Sequence, residues 1–162
     1  MRRVTSALGT LLLAGAAIAI PVQPASAHNG NHTVTVSGVM IITDDENWPQ
    51  SDQHKTVTFN GNVVVGPNLG TASYTATGCA GGEVRVEVQV TVSHDPVSQS
   101  VWVDPLIRMF EGTSCSSNDL DGTVDVPGGW IATSGQGTYT VRNTAEGGDS
   151  ASVQLTVANQ VH

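Results

Sequence analysis

Apolar and polar residues alternate along most of the chain, and valine and threonine dominate the alternating stretches. A period of two in β-branched residues is typical of half-buried strands, and turn residues interrupt it roughly every 8–12 positions. No stretch shows the three-to-four-residue spacing of an amphipathic helix. The pattern therefore predicts an all-β fold. The predicted strands cover 33–43, 55–65, 70–77, 83–92, 100–110, 122–126 with 129–133, 137–142 and 150–158.

The second half of the chain repeats the first. Residues 73–92 align without a gap on residues 138–157, at a spacing of 65, and eight of these 20 positions are identical. Each half, about 33–92 and 100–158, would supply four strands. Because four strands alone bury too little apolar surface, we expect both halves to form a single antiparallel β-sandwich of about eight strands.

The start of the chain has the features of a secretory signal peptide. Arg2 and Arg3 precede a short apolar run at 7–20, and a small-x-small motif ends at Ala27. We therefore expect residues 1–27 to be removed and residues 28–162 to form a secreted, extracellular domain without membrane insertion.

Charge narrows the class of partner. Without the first 27 residues, four cations stand against 14 carboxylates, a net charge of −10. Such a charge repels nucleic acids and anionic membranes. The expected partner is an extracellular protein or a polysaccharide, and metal cations suit the chain better than anions.

The chain has two cysteines, Cys79 and Cys115. In an exported protein a disulfide is the expected state of such a pair. Closing a loop of 36 residues stabilises the fold by roughly 3–4 kcal/mol in the chain-entropy model.

Strand alternation places four loops at the same end of the sandwich: 44–54, 78–83, 111–121 and 143–149. Both cysteines fall in these loops, which makes a disulfide between them geometrically reasonable. The loops also hold ten of the 14 carboxylates, which repel one another unless they are solvated, spread out or neutralised. These ten are Asp44, Asp45, Glu46, Asp52, Glu83, Glu111, Asp119, Asp121, Glu146 and Asp149.

Calcium would neutralise this acidic end most simply, because Ca²⁺ takes 6–8 oxygen ligands from carboxylates and loop carbonyls. The densest segments are TDDEN at 43–47 and SNDLDG at 117–122, the second resembling the first half of a D-x-D-x-D-G calcium loop. The arrangement is similar in architecture to C2-type and other calcium-dependent β-sandwich modules. The alternative is that these acids are solvated and serve solubility. The predicted ligands are Asp44, Asp45, Glu46, Asp119, Asp121 and Asp149.

Two further binding functions compete with calcium. Trp48 and Trp102 are candidates for a sugar-stacking platform of a glycan- or cell-wall-binding module, whereas Trp130 could pack in the core. Alternatively, the rigid loop 111–121 beside the disulfide could act as a secreted inhibitor of an extracellular protease.

Histidines raise one more option. A mature N-terminus at His28 could chelate copper, with His32, His54 or His94 as the partner ligand, and the position of cleavage decides most of this hypothesis. No G-x-S-x-G, H-E-x-x-H or C-x-x-C motif occurs, and turn-borne solvated acids give no raised pKa for acid–base catalysis. We therefore predict a non-enzymatic module.

Overall fold

Two antiparallel sheets pack face to face in the computed structural model, which describes residues 30–46, 50–145 and 147–162. This confirms the predicted all-β sandwich. The expected signal peptide, His28 and Trp48 lie outside the described residues. The strands are β1 (His32–Asp44), β2 (Gln53–Val65), β3 (Thr71–Ala80), β4 (Val84–His94), β5 (Val101–Glu111), β6 (Asp119–Asp125), β7 (Gly129–Ile131), β8 (Ser134–Arg142) and β9 (Ser150–Val161).

The order of the strands relates the two halves of the chain by a pseudo-twofold. One sheet has the order β2-β1-β9-β8, and the other has β3-β4-β5-β6, with β7 also paired to β5. The equivalent strands of the two halves are β1 and β5, β2 and β6, β3 and β8, and β4 and β9. When the members of each pair are exchanged, the strand order of one sheet becomes the reversed strand order of the other. The repeated segments 73–92 and 138–157 therefore form equivalent hairpins, β3–β4 and β8–β9, in different sheets.

The ninth strand arises where one predicted strand is interrupted. β6 and β7 both pair with β5, and residues 126–128 between them leave the sheet. Pro127 has no backbone N–H to donate to a ladder, which favours an interruption of the strand at this point. The second half thus has five strands, two of them short.

The core lies between the sheets and follows the predicted alternation. In β4 every second residue from Val84 to Val92 is fully buried, and the same pattern holds in β1 from Val34 to Ile42 with one irregularity around Gly38. A Cβ at Gly38 would collide with Phe59 and with the β9 backbone, so glycine permits close packing there. None of the described residues forms a helix long and apolar enough to cross a membrane.

The predicted disulfide is confirmed. Cys79 at the end of β3 bonds Cys115 in the β5–β6 loop, with a Cα–Cα distance of 5.9 Å. Arg85 of β4 pairs in register with both Cys79 and Phe110, and its guanidinium lies 3.9 Å from the centre of the Phe110 ring. The disulfide and this cation–π contact fix the β5–β6 loop onto the sheet.

Candidate functional site: an acidic cleft

A cleft of about 220 Å³ opens at the end of the sandwich where the sequence predicts four loops to meet. Each of those loops contributes to its wall. We call it the acidic cleft. Its lining residues are Asp44, Asp45, Glu46, Glu83, Glu111, Gly147 and Asp149.

Four of the lining carboxylates form two pairs related by the pseudo-twofold. Asp44 ends β1 and Glu111 ends β5. Glu83 and Asp149 each follow a Gly-Gly pair in the β3–β4 and β8–β9 turns, and all four of these glycines have positive φ, between 60° and 106°. Each half of the chain therefore presents one acid from a strand end and one from a glycine turn.

Asp44 is a buried acid of the cleft that, within the described residues, lacks a hydrogen-bond donor at one oxygen. Its side chain is only 4% exposed, and no hydrogen-bond donor in the described part of the chain reaches its Oδ2. Burial raises its pKa to about 6, with the charges of Glu46, Asp149 and Glu83 adding to the effect. The expectation that the acids of these loops are solvated and have no raised pKa is therefore wrong for Asp44. A cation in the cleft would supply the missing partner for this oxygen.

Asp149 is equally buried, at 5% exposure, but it is held by hydrogen bonds. The Asp45 backbone N–H donates to its Oδ1 over 2.8 Å. Asn143 Nδ2 lies 3.4 Å from its Oδ2 and also donates to Glu111 Oε2. Asn143 therefore joins one acid from each pair, across the two sheets.

Crowding of acids extends to the rim of the cleft. A hydrogen bond to Asp52, followed by the charge of Asp52, raises the pKa of the Asp45 carboxyl.

Asp119 and Asp121, although predicted as ligands, do not line the cleft. Asp121 Oδ2 accepts from the Glu111 backbone N–H over 3.1 Å, and its backbone carbonyl accepts from the Thr144 N–H and hydroxyl. The exposed Asp119 has its N–H bonded to Ser117 Oγ. The SNDLDG segment thus orders the β5–β6 loop, whereas Asp44, Asp45, Glu46 and Asp149 come together as ligand candidates.

Glu83 and Glu111 line the cleft but were not among the predicted ligands. The repeat carries the signal that could have found them. Glu83 matches Asp149 once the Gly-Gly pairs are aligned, and Glu111 matches Asp44 by its place in the equivalent strand.

The carboxylates surround the cleft rather than converge on one point. Among the described residues, no three His, Cys, Asp or Glu side chains are already grouped to hold a metal ion. Ion binding therefore requires some of these side chains to rotate inward.

The candidates for the other functions lie elsewhere. Trp102 is half-buried, and Trp130 is 58% exposed, so Trp130 does not belong to the core. His32 is buried with its ring 5.3 Å from that of His94, whereas His54 lies beside Thr43. The histidine predicted to anchor copper is outside the described residues.

The loop proposed as an inhibitor is pinned to the sheet. Arg85 donates to the Ser117 carbonyl over 2.8 Å, and Ser117 Oγ donates to the Glu111 carbonyl over 2.6 Å.

No protein-family model, curated protein or solved structure matches the chain. Function is therefore inferred from the chemistry of its own residues.

Proposed function

We propose that this protein is an extracellular, non-enzymatic β-sandwich module that binds calcium in the acidic cleft. One observation carries the proposal: Asp44 lines a cleft of other acids, and its buried Oδ2 has no hydrogen-bond donor among the described residues. Burying an ionised carboxylate is costly unless it is paired. Acids that served solubility alone would lie in solvent, whereas Asp44 and Asp149 do not.

The donor set favours a hard cation. Every lining side chain that can ligate a metal is a carboxylate, and carboxylates select Ca²⁺, Mg²⁺ or Mn²⁺ over zinc or copper. Magnesium demands a compact octahedron, whereas calcium accepts 6–8 oxygens in flexible geometry. A cleft of about 220 Å³ holds one ion with several waters, each taking roughly 30 Å³. These features favour calcium.

Calcium in this position would link the two sheets. Asp44 and Asp149 adjoin β1 and β9 of one sheet, whereas Glu83 and Glu111 adjoin β4 and β5 of the other. An ion that takes ligands from both groups replaces repulsion across the sandwich by attraction to a shared charge. The expected role is to stabilise this end of the fold and so to present its loops to an extracellular partner.

Calorimetric titration of the chelator-treated protein with CaCl₂ tests the proposal. We expect a saturable heat and a higher melting temperature, because ligand at 100 times its dissociation constant adds about 2.7 kcal/mol to stability. Asp44→Asn should abolish both responses. Asp104→Asn, which removes an exposed carboxylate outside the cleft, is the matched control. Absence of both heat and melting shift in the wild-type protein would overturn the proposal.

A further inference from the structure

Four polar and aromatic residues lie in one row across the sheet that contains β5. Trp130 of β7, Trp102 of β5, Ser93 of β4 and Thr71 of β3 are successive partners in register. Side chains alternate between the two faces of a strand, and the core-facing neighbours of Trp102 are buried. The row therefore lies on the outer face of the sheet, and we call it the tryptophan row.

The two indoles form a fixed pair at one end of this row. Their ring centres are 5.2 Å apart and the planes meet at 72°, an edge-to-face contact. A Cβ at Gly128 would lie 2.6 Å from the Trp102 ring, so this indole rests directly on the backbone of Gly128. Trp102 is thereby held in place and supports Trp130, which keeps 58% of its surface in solvent.

Hydroxyl groups continue the surface beyond the indoles. Thr71 Oγ1 and Ser93 Oγ are 3.1 Å apart. In the adjacent row of the same face, Ser73 Oγ and Thr91 Oγ1 are 3.2 Å apart, and Asp104 pairs with Thr91. This end of the face thus combines an exposed aromatic ring with hydroxyl groups, which donate and accept hydrogen bonds, and a carboxylate, which accepts them.

We infer that the tryptophan row binds a neutral polysaccharide. A sugar ring presents apolar C–H groups on its faces and hydroxyls at its edges. The exposed indole suits the C–H faces of a sugar. The two hydroxyl pairs, together with Asp104, suit its hydroxyl groups. Three strand spacings of about 4.8 Å each make the row about 14 Å long, enough for a short oligosaccharide. The net charge, −8 for the whole sequence and −10 for residues 28–162, disfavours polyanionic chains such as acidic glycans.

This site is distinct from the acidic cleft. Trp102 stands near the start of β5 and Glu111 at its end, and nine residue steps of extended strand separate them by about 30 Å. Calcium and polysaccharide are therefore expected to bind independently, and the failure of one proposal leaves the other testable.

Depletion assays on insoluble polysaccharides test the inference. The residue 28–162 protein would be incubated with cellulose, chitin, xylan or a β-1,3-glucan, and the fraction left in solution measured. We expect retention on at least one of these, equal in calcium and in chelator. Trp130→Ala should lower the association constant at least tenfold. Leu120→Ala removes another exposed apolar side chain, 50% exposed and at the other end of the same sheet, and should leave retention unchanged.

A second variant separates sugar recognition from adhesion to any apolar surface. Ser93→Ala with Thr91→Val removes two hydroxyls of the face while Trp130 remains, and it should also weaken retention severalfold. Melting curves of each variant would show that the fold is intact. Lack of retention of the wild-type protein on all four polysaccharides overturns the inference. So does unchanged retention of Trp130→Ala, or of the double hydroxyl variant.

Discussion

Asp44 and Glu111 occupy equivalent positions in the two halves of the chain and face the same cleft. Met40 pairs with Val153, and Ile107 pairs with Val88, the residue that the repeat aligns with Val153. Four residues further along β1 and β5 stand the two acids. The internal repeat thus brings like charges together across the pseudo-twofold, an arrangement that destabilises the fold unless a cation or protons compensate it.

Asp44→Asn is expected to stabilise the chelator-treated protein at pH 7. The change keeps the shape of the side chain and removes a buried charge whose pKa is raised to about 6 from 3.8. At 1.36 kcal/mol per pKa unit, the gain is at most about 3 kcal/mol. Urea unfolding at pH 7 measures it. A variant less stable than wild type without calcium would contradict the prediction.

The stability of the chelator-treated protein should depend on pH because of the same buried charge on Asp44. The folded-state pKa of Asp44 lies above its unfolded value, so the folded state binds its proton more tightly. Its destabilising contribution is therefore complete above about pH 6 and disappears as the pH falls towards 3.8. Wild type should gain stability relative to Asp44→Asn over this range. Saturating calcium should remove this gain in stability near pH 6, because the bound ion then neutralises Asp44 in place of the proton.

Gly81→Ala is expected to be costly because two effects combine. Gly81 has φ of 60°, and an added Cβ would overlap Asp44 Oδ2. Gly70 has nearly the same φ, 65°, with nothing near its Cβ position, so Gly70→Ala isolates the backbone term of about 1 kcal/mol. Gly81→Ala should lower the free energy of unfolding by more than Gly70→Ala does, and it should also weaken calcium binding. Equal losses for the two variants would show that the Asp44 contact is unimportant.

The fold and the location of the acidic cleft follow from local sequence signals, because both depend on alternation and on the number of strands between loops. The period of two predicted the strand at 83–92, and the alternating direction of the strands placed Cys79 near Cys115. The break at Pro127 was visible as two short segments. These features require no knowledge of how side chains pack.

Which acids line the cleft was harder to predict, because spacing along a loop does not say which way its carboxylates point. Asp119 and Asp121 resemble a calcium loop in sequence, yet Asp121 caps the Glu111 N–H and Asp119 faces solvent. The exposed position of Trp130 was also not predictable from spacing. It results from the register of the short strand β7 with β5, which places Trp130 beside Trp102. Such outcomes are set by tertiary hydrogen bonds and register.

Glu83→Gln and Asp149→Asn should each weaken calcium binding, whereas Asp119→Ala should leave it unchanged. Glu83 and Asp149 are the acids related by the pseudo-twofold that follow the glycine turns and line the cleft. Each of the two substitutions therefore removes one charged ligand from the proposed ion. Asp119 lies outside that lining and is exposed. We expect losses of about tenfold or more for the first two, since a charged hydrogen bond or ligand contact contributes about 1.5–3 kcal/mol. Calorimetry on the three variants distinguishes a calcium site in the acidic cleft from one in the SNDLDG segment. If only Asp119→Ala lost calcium binding, the SNDLDG segment would be the site.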